Sequence, residues 1–185
     1  MTRGIAAGLS LCALCLQAAA APESFAIVPA TTVPAYEVSR LALPALRGRF
    51  ERVTGSIMLD TEARTGAIAI EIDATTATIG FGWFDEVLKG EGFFDAAHHP
   101  RVTFRSSRFE FDGDRPVRAE GQLTLRGETR PLALELRRFA CTRAACSAEI
   151  FGRISRAAFG MTSFGAIIDD EVRLTFQVEA VRQVP

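Results

Sequence analysis

The chain has 185 residues, 48% of them hydrophobic and 23% charged, a length that one domain ordinarily fills. Its 21 basic residues nearly balance 22 acidic ones. That balance excludes the charge footprint of a nucleic-acid binder and gives no attraction to an anionic membrane surface.

At the N-terminus Arg3 precedes an apolar run from Ile5 to Leu16, followed by Gln17 and the small residues Ala18 to Ala21. This order predicts a secretory signal peptide over residues 1–20, cleaved after Ala20 so that Pro22 is not the first mature residue. The run is too short to cross a bilayer, which takes about 20 apolar residues. Cys12 and Cys15 each follow a leucine, where a lipoprotein acceptor cysteine follows a small residue. The expected product is a soluble periplasmic or secreted domain, residues 21–185, with no membrane span.

Phe25 to Val28 is a short strand ended by Pro29. Tyr36 and Val38 alternate with Glu37 and Ser39 in a second strand reaching Leu43. From Leu46 to Leu59 the phase flips: Gly48 and Phe50 share one parity, Val53, Gly55, Ile57 and Leu59 the other. A bulge near Arg52 or a bend at Gly55 accounts for the flip within one strand. After a polar turn, Ile68, Ile70 and Ile72 point one way.

Between Ile79 and Phe104 the alternation stops. Phe84, Val87 and Leu88 fall at i, i+3 and i+4, the spacing of one helix face, with Asp85, Glu86 and Lys89 left for solvent. Gly90 and Gly92 are expected to end this helix by adopting positive φ. Phe93, Phe94 and Asp95 follow as a bulky plug, and Pro100 opens a strand with Val102 and Phe104 on one face. The stretch reads as a lid on one end of a sheet structure or as an ordinary connection whose phenylalanines fill the core.

Asp112-Gly113-Asp114 marks a turn, after which Val117, Ala119, Gly121, Leu123 and Leu125 alternate up to a second turn at Arg126-Gly127-Glu128. Pro131 opens a strand with Leu132, Leu134 and Leu136 inward. Cys141 and Cys146 sit at the tip of the next hairpin. In an exported chain they read as a disulfide, worth about 2 kcal/mol for so small a loop. Two thiols without a nearby histidine make a poor metal site. Ala148, Ile150, Gly152 and Ile154 form the return strand, Phe159-Gly160-Met161 and Phe164-Gly165 break the pattern, and Val172, Leu174, Phe176, Val178 and Ala180 make a last long strand.

Eight or nine strands with one small helix exclude a parallel α/β sheet, which needs crossover helices. A sandwich and a closed barrel both fit. Glycines at 55, 121 and 152, where strands bend sharply, favour an all-β antiparallel barrel of about eight strands, wide enough to be filled by side chains or to hold one elongated ligand.

Reactive groups are few. His98 and His99 have polar flanks and read as surface loop residues; on a strand they would point to opposite faces, so they are not expected to share a metal or a proton. No G-x-S-x-G elbow is present, Ser163 has no partnering base, Gly80 and Gly82 do not make a dinucleotide fingerprint, and Asp169, Asp170 and Glu171 read as a solvated turn. No catalytic residue, metal or cofactor is therefore expected. Fourteen phenylalanines instead supply apolar wall. The candidate lining is Tyr36, Val38, Phe50, Ile68, Ile70, Ile72, Val102, Phe104, Leu123, Leu134, Ile150, Leu174 and Phe176, with Phe84, Leu88, Phe93, Phe94 and Phe159 at the strand ends and in the lid.

An ordered set of pieces resembles the YceI-like family. They are Leu46-Arg47-Gly48-Arg49-Phe50, then Phe93-Phe94-Asp95 with Pro100 and Thr103-Phe104, then Gly121 to Gly127 leading to Thr129-Arg130-Pro131. Arg156, Phe159-Gly160-Met161 and Asp170-Glu171-Val172 complete it. The resemblance implies an extracytoplasmic lipocalin-like barrel that holds a long isoprenoid lipid, such as a quinone tail, and is not an enzyme. The chain departs from the pattern at Thr31-Thr32, where a histidine-serine pair is usual, at Arg40 for a histidine, and at Phe84 for an arginine before Asp85. Those changes fall on polar head-group contacts and leave the apolar tunnel untouched. A solidly packed interaction or stress module, and an isomerase or cyclase working by shape on the same barrel, are the alternatives. Oligomeric state, a dimer included, stays open.

Overall fold

The computed structural model describes residues 22–183, so the leader read at 1–20 lies outside the described residues. Eleven strands and one α-helix are found among the described residues: β1 Glu23–Ile27, β2 Ala35–Arg40, β3 Leu43–Phe50, β4 Val53–Asp60, β5 Thr65–Asp73, β6 Ala77–Thr78, α1 Gly82–Lys89, β7 Arg101–Asp112, β8 Arg115–Leu125, β9 Glu128–Cys141, β10 Ala145–Ser155 and β11 Ile168–Arg182. Period-two alternation explains most of them, since one face of each strand is apolar and the other carries Arg, Glu or Thr. Every pairing is antiparallel.

The ring runs β1-β4-β5-β7-β8-β9-β10-β11 and closes where β1 meets β11, with Phe25 opposite Arg182 and Ile27 opposite Ala180. A closed eight-stranded barrel results, with no sandwich seam. The strands β2, β3 and β6 extend the wall above β1 and β4: β2 pairs with the first half of β11, Tyr36 opposite Leu174 and Val38 opposite Val172, and β3 pairs with both β2 and β6.

The phase flip expected inside one strand is a break between two. Phe50 ends β3 and Val53 starts β4, while the Glu51 and Arg52 N–H groups both donate to Thr76 Oγ1. The turn lets β3 and β4 choose different partners, so each keeps its own inward parity. Pro131 lies inside β9, which begins at Glu128; it stands opposite Gln122 of β8, and the β10 pairing starts only at Glu135. A proline is tolerated where only one neighbour pairs. Neither Gly90 nor Gly92 has a positive φ; Gly90 is extended at −73°, and it is Asp95 that turns left-handed at 48°.

Two apolar clusters line the inside of the barrel. The larger runs from the lid down through the middle, and a smaller one of Phe25, Leu59, Cys146 and Ala180 shuts the opposite end, with Phe111 and Phe139 packed on it. Cys141 and Cys146 face each other across β9 and β10 and are joined by a disulfide at that end, as the hairpin reading expected.

Candidate binding site

Helix α1 leaves β6 and is tied back to it by Asp85, whose carboxylate accepts from Thr78 Oγ1 at 2.7 Å and from the Ile79 N–H at 2.8 Å. That backbone hydrogen bond, and next to it the hydroxyl, hold the Asp85 carboxyl below its usual range. Asp85 is therefore a lid staple and does not face open solvent as the spacing suggested. Val87, by contrast, is 37% exposed, so the inward face is Phe84, Asp85 and Leu88. An eight-residue helix has two turns, and a single anchored carboxylate is enough to rotate it.

The plug follows from unpaired carbonyls in the last helical turn. Leu88 O accepts from Phe94 N–H at 2.9 Å, Lys89 O from Ala96 N–H at 2.8 Å, and Gly90 O from Asp95 N–H at 2.9 Å. These bonds curl the chain under the helix and press Phe93 and Phe94 into the barrel. The Phe94 ring then meets Phe50 at 5.2 Å and Tyr36 at 5.8 Å, edge-on in both cases. Phe93 stacks with Phe164 at 6.1 Å.

His98 and His99 sit in the turn after the plug, as the loop reading expected. Both reach Asp95: His98 Nδ1 at 2.8 Å and His99 Nε2 at 3.8 Å. They converge on one carboxylate because a turn, unlike a strand, puts positions i+3 and i+4 near residue i. Asp95 raises the His98 imidazole above its ordinary range, and the His98 hydrogen bond holds Asp95 below its own.

Beneath the plug lies a lumen in two parts. The upper chamber has about 1030 Å³ of unfilled space, counted out to where it opens to solvent, most of it too narrow to centre a water molecule. Of the candidate lining, Tyr36, Val38, Phe50, Ile70, Ile72, Leu88, Phe93, Phe94, Val102, Phe104, Leu123, Leu134, Leu174 and Phe176 border it. A lower chamber, with about 630 Å³ of unfilled space counted in the same way, is bordered by Ile68 and Ile150, with Phe109, Phe139 and Cys146 near its floor. Ile70, Leu134 and Phe176 border both and form the waist between them. Val172, Leu174 and Phe176 face inward yet are only half-buried, because the space in front of them is empty.

Two expected residues are elsewhere. Phe84 packs from the helix onto the barrel core, and Phe159 is buried beside β10; neither borders a chamber. Pro34, Leu46, Met161 and Val172 border the upper chamber without having been singled out. Val172 shares parity with Leu174 and was readable; Pro34 and Met161 lie in irregular segments that carry no period.

Arg156 also lines the upper chamber and is almost fully buried. Its guanidinium donates to four carbonyls: Nε to Asp169 at 3.0 Å, Nη1 to Met161 at 2.7 Å and Ser163 at 2.8 Å, and Nη2 to Ile168 at 3.1 Å. Asp170, read as part of a solvated turn, accepts from the Ala157 N–H at 2.8 Å. The Ser155 hydroxyl and then that N–H hold its carboxyl low. Together they clasp the loop from 157 to 168 against the top of the barrel. Isolated buried charge is costly, and here a set of oriented carbonyls compensates it.

A closed antiparallel wall around an apolar two-part lumen, capped by a helix and an aromatic plug, defines a lipocalin-like barrel with an internal chamber. The YceI-like domain matches residues 25–180, and the chain belongs to that family. It is 26% identical over 155 residues to a UPF0312 protein of Shewanella oneidensis, covering 80% of this chain and 81% of that one. Its fold is that of BcnA from Burkholderia cenocepacia, with a TM-score of 0.72 at 22% identity over 83% of this chain and 98% of the other. It is also that of a polyisoprenoid binding domain from Saccharophagus degradans, with a TM-score of 0.67 at 13% identity over 88% and 99%.

Proposed function

We propose that this protein is an exported carrier or store that holds one long isoprenoid-type chain extended through both chambers. The observation that carries the reading is the lumen itself: two apolar chambers walled by aliphatic and aromatic side chains, one under the plug and one toward the disulfide end, that share Ile70, Leu134 and Phe176 as wall. A slim, flexible, methyl-branched chain fits such a shape, and burying it removes roughly 0.8 kcal/mol of unfavourable hydration per methylene. The Saccharophagus neighbour named as polyisoprenoid-binding has the same architecture. Export is supported by the Cys141–Cys146 bond, since disulfides persist outside the reducing cytoplasm. Binding, with no turnover, is the role suited to a lumen whose walls offer apolar contact.

The test is denaturing extraction of the purified protein followed by mass spectrometry of the organic phase. A stoichiometric long-chain isoprenoid is expected. Protein that comes out empty, and takes up no prenyl lipid when reconstituted, overturns the reading.

A further inference from the structure

Among the described residues that border the upper chamber, one buried polar side-chain atom has no hydrogen-bond partner. Tyr36 is 8% exposed, its hydroxyl is buried, and it makes no hydrogen bond. The ring is laid across the inner wall directly over Gly48, its partner on β3: a Cβ at Gly48 would stand 2.3 Å from the hydroxyl oxygen and 2.2 Å from the ring carbon bearing it. Only a residue without a side chain leaves that space, so Gly48 and Tyr36 together aim the hydroxyl along the lumen wall. Phe50 and Phe94 flank the ring from the plug side. Native proteins satisfy nearly all buried hydroxyls, and an orphan in a chamber shaped for a ligand points to a group the ligand brings.

The surroundings define that group. Burial, and after it the Asp85 carboxylate, push the Tyr36 hydroxyl above the ordinary phenol range, so it stays protonated and donates. The same carboxylate disfavours an anion nearby. The other polar side chain bordering the chamber, Arg156, has its guanidinium engaged by four loop carbonyls and is not free to neutralise a phosphate.

Resting on the isoprenoid reading, we propose that Tyr36 is the polar anchor of the lumen and donates a hydrogen bond to an uncharged oxygen at the head of the chain. A quinone carbonyl or a prenol oxygen both supply that acceptor, and a diphosphate does not suit it. The head then lies under the plug and the tail points through the waist toward the disulfide end.

Delipidated wild type and Tyr36→Phe are titrated with four probes sharing a geranylgeranyl-length chain: geranylgeraniol, the quinone with the same tail, geranylgeranyl diphosphate, and the saturated hydrocarbon phytane. Wild type is expected to bind the alcohol, the quinone or both about fivefold more tightly than phytane, the worth of one neutral hydrogen bond, and the diphosphate more weakly than either. In Tyr36→Phe that preference should vanish while phytane binding is unchanged, and the melting temperature of the empty variant should be equal or higher because the orphan hydroxyl is gone. Which oxygenated probe loses affinity tells the quinone from the prenol. Equal head-group preference in the two proteins, or a diphosphate preferred over both neutral heads, overturns the anchor and leaves the lumen reading standing. Failure of all four probes to bind wild type overturns the lumen reading itself.

Discussion

Replacing Phe94 with alanine separates the two things the plug does. Phe94 is 9% exposed and packs edge-on against Phe50 and Tyr36. Removing its ring forfeits roughly 1.5–3 kcal/mol of transfer energy and two aromatic contacts of about 0.5–1.5 kcal/mol each. The ring borders space that is already empty, so its loss widens the lumen and makes no new closed void. The expected penalty is therefore near the lower end of the usual range for Phe→Ala in a core, about 3 kcal/mol. For a domain of this size that lowers the melting temperature by roughly 6–12 °C. Calorimetry on delipidated protein reads this term free of any ligand, and quantitative lipid extraction from the same preparations reads the other. Bound lipid should fall by about tenfold or more, at 1.4 kcal/mol per decade. A drop of less than roughly 2 °C would refute the packing account of the plug. A folded variant that keeps its full lipid load would refute its role as a lid.

Arg156→Met should destabilise by at least about 3 kcal/mol, since four carbonyls lose their donor, and Arg156→Lys should not restore it, because an ammonium cannot reproduce the guanidinium fork; urea midpoints check both. Intact mass before and after reduction and alkylation should show one disulfide, Cys141–Cys146, and reduction should lower stability by about 2 kcal/mol; two free thiols in periplasm-derived protein would contradict this. Gly121→Ala places a Cβ 2.2 Å from the Arg105 carbonyl oxygen on β7, so the strands must part, and a loss of about 1–3 kcal/mol is expected from overpacking. The Asp95–His98 pair has a pH signature. The histidine pKa is raised, so its contribution is complete below 6.5 and is lost as pH climbs through the raised value; the aspartate pKa is lowered, so its contribution is complete above 3.8 and is lost as pH falls through the lowered value. The pair should hold the plug best between those limits. An NMR titration should place the His98 midpoint above that of an Asp95→Asn variant, and identical midpoints would remove the pairing.

The barrel wall was legible because period two survives wherever a strand keeps one face on the lumen. Ile70 and Ile72, Val102 and Phe104, and Leu174 and Phe176 were all placed inward by parity, and all border a chamber. Legibility failed where a side chain was recruited by a group distant in sequence. Asp85 looked like a solvent residue until Thr78 and Ile79 claimed it, and the helix turned Val87 outward as a result. His98 and His99 were readable as loop residues from their polar flanks, yet nothing in the sequence showed that the turn delivers both to Asp95. Arg156 entered only as one piece of the family resemblance and its buried role carried no pattern of its own, since an arginine that spends its donors on carbonyls leaves no complementary acid in the sequence. The division of the lumen into two chambers was equally hidden, because it depends on the bulk of three side chains brought to one level by three different strands.

The way β11 divides its partners makes the molecule two cooperative units that share one strand. Its later residues, with β1, β4, β5 and β7 to β10, complete a continuous ring of hydrogen bonds, while its earlier residues are, among the described residues, the only strand ladder joining β2, β3 and β6 to that ring. The ring can therefore persist while the upper flap detaches, but the flap has no independent sheet to fall back on. In native-state hydrogen exchange this becomes a hierarchy: amides of β2 and β3 should open at a lower free energy than those of β8 and β9, whose partners on both sides belong to the closed ring. The opening mode cheapest for this chain is thus the one that uncovers the aromatic end of the lumen and leaves the disulfide end intact.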